Sequence, residues 1–169
     1  MRRARGFTLI ELLVVICVVA VTFGVALDRL TRYQELAERT AMEQNLAAVN
    51  VAVTMKFAAL VISGRTAETE KMVGTNPANL MARLPENYLG ELYAPDPAAL
   101  PKESWHFDLR SGEFVYVPAR TRFLTFPKES AGNLRFRIVL TEADLGPGAV
   151  REIRQPYIRA VFPYQWGFE

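Results

Sequence analysis

From Phe7 to Leu27 almost every side chain is apolar, and the one ionisable group in the run is Glu11. An apolar stretch of roughly 20 residues is what a helix needs to cross a hydrocarbon layer about 30 Å thick. Polarity returns at Asp28-Arg29-Leu30-Thr31-Arg32-Tyr33, without a proline or glycine to end a helix. Beyond it Met42, Leu46, Val49, Val53, Phe57 and Leu60 recur at steps of four, three, four, four and three, which trace one face of an α-helix. Glu35, Glu38, Arg39, Glu43, Gln44 and Lys56 fall largely off that stripe. The first stop signal is Ser63-Gly64. The pattern predicts one helix from Phe7 to Ile62, roughly 80 Å long at 1.5 Å per residue. Its membrane-spanning half is 7–28 and its amphipathic half 29–62. Gly24 is the weak point of the first half, costing up to about 1 kcal/mol against alanine.

Residues 63–103 hold most of the punctuation: Gly64, Gly74, Asn76-Pro77, Pro85, Gly90, Pro95, Pro97 and Pro101. They read as a loop or linker, with short helical turns at Met72-Val73 and over 79–84, the latter starting from Asn76-Pro77. A loop this long in a compact domain is functional, wrapped on a surface, or a plain crossover. From Ser104 the period switches to two. Trp105-His106-Phe107-Asp108-Leu109, a turn at Arg110-Ser111-Gly112-Glu113, and Phe114-Val115-Tyr116-Val117 predict a β-hairpin. Trp105, Phe107 and Leu109 share the face expected over the helix stripe. Further strands follow over 120–125, over 134–140 with Leu134, Phe136 and Ile138 inward, and over 157–162 before Pro163. The fold class is therefore α+β: a long N-terminal helix packed on a small antiparallel sheet within 104–169.

The N-terminal stretch is more than a greasy helix. Three arginines (Arg2, Arg3, Arg5) precede it and fix that end on the cytoplasmic side by the positive-inside bias. An acid at the centre of such a run costs about 2.5 to 3.5 kcal/mol on insertion scales, so Glu11 is read as functional by default. Its bland alternative is a snorkelling acid near a helix end. A basic leader, then Gly6-Phe7-Thr8-Leu9-Ile10-Glu11-Leu12-Leu13, then an unbroken apolar run, resembles the processing signal of the type IV prepilins and of the pseudopilins of type II secretion. An ordinary secretory signal ending at Gly24-Val25-Ala26 fits poorly, because the run exceeds an h-region of about 7–15 residues and an acid interrupts it.

The resemblance implies a leader over 1–6 and a membrane peptidase that cuts between Gly6 and Phe7 and N-methylates Phe7. Glu11 then stands five places into the mature chain. Gly6 lets extended backbone approach a peptidase closely. The new amine on Phe7 is a positive charge at the bilayer edge, and Glu11 of a neighbouring subunit is its natural partner. Pairing offsets the desolvation that each charge bears alone and sets an axial register. The implied partners are the prepilin peptidase and methylase, other pilin or pseudopilin subunits, the inner-membrane assembly platform and membrane lipid. The implied location is a single-pass inner-membrane protein with a periplasmic C-terminal domain, assembled into a pilus or pseudopilus. No proline precedes Pro77, unlike many major pilins, which leans the chain towards a minor pilin or pseudopilin. The Trp-x-Phe-Asp…Ser-Gly-Glu-x-Val-Tyr hairpin also resembles minor pilins of the mannose-sensitive haemagglutinin type.

Composition changes little in this picture. At 169 residues the chain suits one domain plus an anchor. Loss of 1–6 removes three arginines and takes the formal charge from +2 to −1, so the basicity belongs to the leader and says nothing about nucleic acid. The single cysteine, Cys17, lies in the apolar run, so no intramolecular disulfide forms; many type IV pilins close a C-terminal loop with one. His106, the only histidine, reads as a solvated strand residue on the hairpin's outward face. No nucleophile is partnered for catalysis, and no phosphate loop or Cys/His metal cluster appears. The reading is of a non-enzyme with no cofactor and no metal. Asp96, Asp108, Glu142 and Asp144 match no calcium loop. Arg120, Arg122, Arg135 and Arg137 alternate on predicted strands, as a solvated face would or, less simply, as a basic stripe for DNA. The other class of reading is therefore a membrane-anchored periplasmic binding module that never polymerises. The aromatic tail Phe162-Pro163-Tyr164-Gln165-Trp166-Gly167-Phe168 either seals the sheet or faces a neighbour.

Overall fold

The computed structural model describes residues 7–141 and 154–167. One long helix, α1 (Leu9–Ile62), opens the chain, and the structure divides into two compact units at Ala37 and Glu38. In the first unit, α1 is long and apolar enough to cross a membrane. Its side chains there are uncovered: Leu9, Ile10, Leu12, Leu13, Val14, Ile16, Val18 and Phe23 are all exposed. Gly24 does not interrupt the helix. Two hydroxyls turn back on the backbone: Thr22 Oγ1 donates to the Val18 carbonyl at 2.7 Å and Thr31 Oγ1 to the Asp28 carbonyl at 2.8 Å.

In the second unit the predicted stripe is the packed face. Met42, Val49, Val53 and Leu60 are buried, with Leu46 packed against the same cluster. They meet one face of a five-stranded sheet of order β1-β2-β3-β5-β6: β1 (Tyr88–Leu92), β2 (Ser104–Asp108), β3 (Glu113–Val117), β5 (Leu134–Leu140) and β6 (Pro156–Ala160). Trp105 pairs with Tyr116 and Phe107 with Phe114 across β2 and β3, and Phe114 pairs with Phe136 on β5. These are the core-facing rows. Trp105 stacks on Phe114 with ring centroids 4.7 Å apart and lies 4.8 Å from Tyr116. Leu134, Phe136 and Ile138 point inward as the alternation predicts. The fold is thus α+β and pilin-like in layout, a long N-terminal helix against a small, mostly antiparallel sheet.

Three features depart from the sequence reading. First, the stretch read as linker contributes structure: 3-10 turns at Thr66–Met72 and Pro77–Leu80, the second capped by the Asn76 side chain accepting from the Ala78 N–H, and the strand β1. β1 pairs with β2 in parallel, not antiparallel. Parallel pairing obliges 93–103 to run back along the sheet, and its Pro95, Pro97 and Leu100 are half-buried. Second, the strand expected over 120–125 is only β4 (Leu124–Thr125), which pairs with β7 (Gln165–Trp166) in a separate two-stranded sheet. Trp166 is buried in the core, so the aromatic tail seals the domain; Phe168 lies outside the described residues. Third, Leu109 is half-exposed, because the hairpin turn starts there rather than at Arg110. Gly112 closes that turn with φ +66, and a Cβ on it would sit 3.2 Å from the Gly74 carbonyl oxygen, so only glycine fits.

Candidate functional site

The N-terminal segment is built from Phe7, Thr8 and Glu11; Gly6, with the rest of 1–6, lies outside the described residues. Phe7 and Thr8 are not helical, and α1 begins at Leu9. The Thr8 carbonyl accepts the first helical bond from Leu12 N–H at 3.2 Å, and Thr8 Oγ1 accepts from Glu11 N–H at 3.3 Å. Thr8 is therefore the N-cap, and Glu11 stands at the third helical position. The spacing Thr8-x-x-Glu11 is that of a capping box. Glu11 lies in the first turn, where the helix dipole favours an acid. It is exposed, among apolar side chains that are also exposed.

A second polar centre lies in the other unit. Glu38, assigned above to the polar side of the helix, is buried. Its carboxylate accepts from Tyr116 Oη at 3.1 Å, from the backbone N–H groups of Ala119 at 2.7 Å and Arg120 at 3.2 Å, and from Arg120 Nη1 at 3.2 Å. The same guanidinium reaches Glu103 at 2.5 Å. Burial, then the charge of Glu38, push the Tyr116 hydroxyl far above the usual phenol range, so it stays a donor at any working pH. Glu35 is buried as well. The expectation that both acids fall off the packed stripe is corrected here. Extended backwards by four and then three residues from Met42, the stripe lands on Glu38 and Glu35, and that spacing was the signal to follow.

The face of the sheet opposite α1 is closed at its middle, where Ser104, His106, Asp108, Glu113, Val115 and Val117 are all buried. His106 is therefore not a solvated strand residue: it is only 2 % exposed, beside Val115 and Arg135 in one cross-strand row. Burial lowers its pKa; Asp108 opposes this and Arg135 adds to it. Burial alone would raise the Asp108 carboxyl, but bonds from the N–H groups of Arg110 and Ala94 and from Ser111 Oγ overcome it and hold it below the ordinary carboxylate range. A histidine with a depressed folded pKa contributes stability that is present above its unfolded pKa of about 6.5 and lost as pH falls below it. The urea midpoint of the full chain should drop from about pH 7.5 to about pH 5.5, a window in which imidazole is the side chain that titrates. The drop should vanish in His106→Gln; an equal drop in that variant would place the titration elsewhere.

The four arginines do not form an open basic stripe. Arg135 Nη1 bonds Glu113 at 2.8 Å and Arg137 Nη2 bonds the same carboxylate at 2.9 Å. Arg120 is held by Glu38 and Glu103, and Arg122 lies 5.3 Å from the Phe123 ring centroid. What this face offers is charge already compensated within the fold. Of the acids weighed for calcium, Asp108 is occupied as described and Asp96 accepts from Ala98 N–H at 3.0 Å. Glu142 and Asp144, like Glu152, lie outside the described residues. Among the described residues no group of three or more His, Cys, Asp or Glu is placed to hold a metal ion.

Residues 1–27 match the prokaryotic N-terminal methylation motif. This is the class III signal peptide of the type IV pilin and pseudopilin family. No curated protein and no solved structure matches the chain. The motif marks the chain as a type IV pilin-like prepilin substrate and implies processing by prepilin peptidase and assembly with other pilins. It points to a structural subunit rather than an enzyme, and with the apolar helix it points to membrane anchoring. The matched stretch contains Phe7, Thr8 and Glu11, the group built above from geometry.

Proposed function

We propose that this chain is a structural subunit of a type IV pilus or of a type II secretion pseudopilus, anchored by α1 and assembled through it. The observation that carries the reading is Glu11: an acid in the first turn of an uncovered apolar helix, inside a prepilin methylation motif. An isolated anchor gains nothing from that acid, whereas a rod that packs beside copies of itself gains a register. On this reading the peptidase cuts between Gly6 and Phe7, Phe7 is N-methylated, and its amine meets the Glu11 carboxylate of a neighbour. The domain from 63 onward then lies in the periplasm and on the filament surface. The paired arginines give no comparable support to a non-polymerising, DNA-binding module.

The test is to shear filaments from cells, separate them from membranes, and probe both fractions for this chain. It should be in the filaments with a methylated N-terminus at Phe7; its confinement to membranes would refute the reading. Gly6→Ala should accumulate as full-length precursor with little mature form, because a side chain at the cut hinders close approach of the peptidase. A normal N-terminus at Phe7 in that variant would defeat the cleavage assignment.

A further inference from the structure

Two exposed patches of opposite character flank β1. Where the strand ends, Tyr93 is 75 % exposed, and the half-exposed Leu109 lies beside it, its N–H bonding the Leu92 carbonyl at 2.8 Å. Arg110 follows on the same turn, exposed, and no ion pair holds its guanidinium among the described residues. The buried Asp108 carboxylate accepts from the N–H groups of Ala94 at 3.1 Å and Arg110 at 3.0 Å and from Ser111 Oγ at 3.0 Å, so one side chain ties the two turns together. Ala94 is held left-handed at φ +45, although it carries a Cβ and precedes a proline. Strain of that kind persists only where the surroundings over-determine it, and it clusters at functional sites. A tyrosine and an arginine on such a fixed backbone, beside an exposed leucine, have the composition of an interface anchor. Where the chain enters β1, the buried Pro85 fixes the path, its carbonyl accepting from Tyr88 N–H at 3.1 Å, and Leu84 is half-exposed. The Glu86 side chain is 91 % exposed, and its partner Arg83, 3.6 Å away, is 86 % exposed. A pair this open contributes little, so its carboxylate is readily exchanged to another cation.

We propose that these patches are the two halves of one contact between copies of this chain: Leu84 and Glu86 of one copy seat on Tyr93, Leu109 and Arg110 of the next. The inference rests on the reading of this chain as a filament subunit. Charge complementarity selects the occupant. One patch joins apolar side chains to an unpaired cation, and the other joins an apolar side chain to a weakly held anion two residues away. Roughly 15 Å of strand, at about 3.3 Å per residue, lies between them, so a copy does not satisfy one patch with its other. The contact is therefore head to tail, and each copy that docks keeps one patch open for a further copy. It gives the globular domain a contact of its own, separate from any made by the apolar half of α1.

The experiment joins the two patches through cysteines in the full-length chain, in a Cys17→Ser background. Leu84→Cys and Leu109→Cys are placed on separately tagged copies made in the same cells, and sheared filaments are treated with a mild oxidant. A disulfide-linked mixed dimer should form, neither variant alone should give one, and a chain carrying both should give a ladder of multimers. Arg110→Glu on the Leu109→Cys copy should lower the yield of mixed dimer at least about tenfold, because like charges then meet. Glu86→Arg on the Leu84→Cys copy should restore it, a recovery that a misfolded chain does not show. Filaments that contain the chain but give no mixed dimer would overturn the proposal, as would a charge exchange that fails to restore the yield. A chain absent from filaments altogether would instead overturn the subunit reading, so the two failures are told apart.

Discussion

Glu11→Ala should yield a chain that is cut and inserted normally yet is nearly absent from sheared filaments. On the proposed reading cutting is spared because the substitution leaves Gly6 and Phe7 unchanged. On the same reading assembly is lost because the Phe7 amine of each incoming subunit would be desolvated without a partner. Truncating one member of a buried charge pair costs about 2 kcal/mol or more, roughly thirtyfold in each docking equilibrium. Glu11→Gln, which keeps the acceptor without the charge, should lie between the two. Recovery of Glu11→Ala in filaments at the wild-type level would show that charge pairing sets nothing.

The second large effect is on stability. Glu38→Ala strands Tyr116 Oη and the N–H groups of Ala119 and Arg120 in a buried place, and leaves Arg120 only Glu103. A buried group left unsatisfied costs about 1–3 kcal/mol, and a buried pair broken on one side about 3–5. Because Arg120 is partly open to water, the lower end applies, about 3 kcal/mol in total. For a domain of this size the midpoint of thermal unfolding should fall by roughly 10 °C. It can be followed by the fluorescence of Trp105 and Trp166 in the detergent-solubilised full chain. Tyr116→Phe removes one of the four bonds and should cost about 1 kcal/mol. Equal losses for the two variants would mean that the backbone bonds to Glu38 contribute nothing.

The elements that could be read from the sequence are those whose pattern has a period. Met42 to Leu60 repeat at helical spacing, and Leu134, Phe136 and Ile138 alternate, so both core faces were visible. The motif around Phe7 and Glu11 stood out because its residues are adjacent in the chain, and it falls within the matched residues 1–27. What escaped depended on partners far along the chain. Glu38 looks like a solvated helix acid until Tyr116 and the 118–120 corner come round to it. His106 sits on the polar parity of β2, and nothing near it announces that the opposite face is closed. β1 was hidden among glycines and prolines, because one short edge strand with a bulge between Tyr88 and Glu91 carries too few alternating residues to show a period.

That same strand sets an order of events in folding. β2 and β3 are joined by a four-residue turn and can zip together locally, whereas β1 can reach β2 only after 93–103 has been laid back along the sheet. The hairpin should therefore form early and β1 arrive late. In the interval the Trp105 strand presents a bare hydrogen-bonding edge, open to capture by another unfinished chain. Until β1 is in place, the stretch that carries the weakest pattern leaves that edge uncovered and a window for aggregation open.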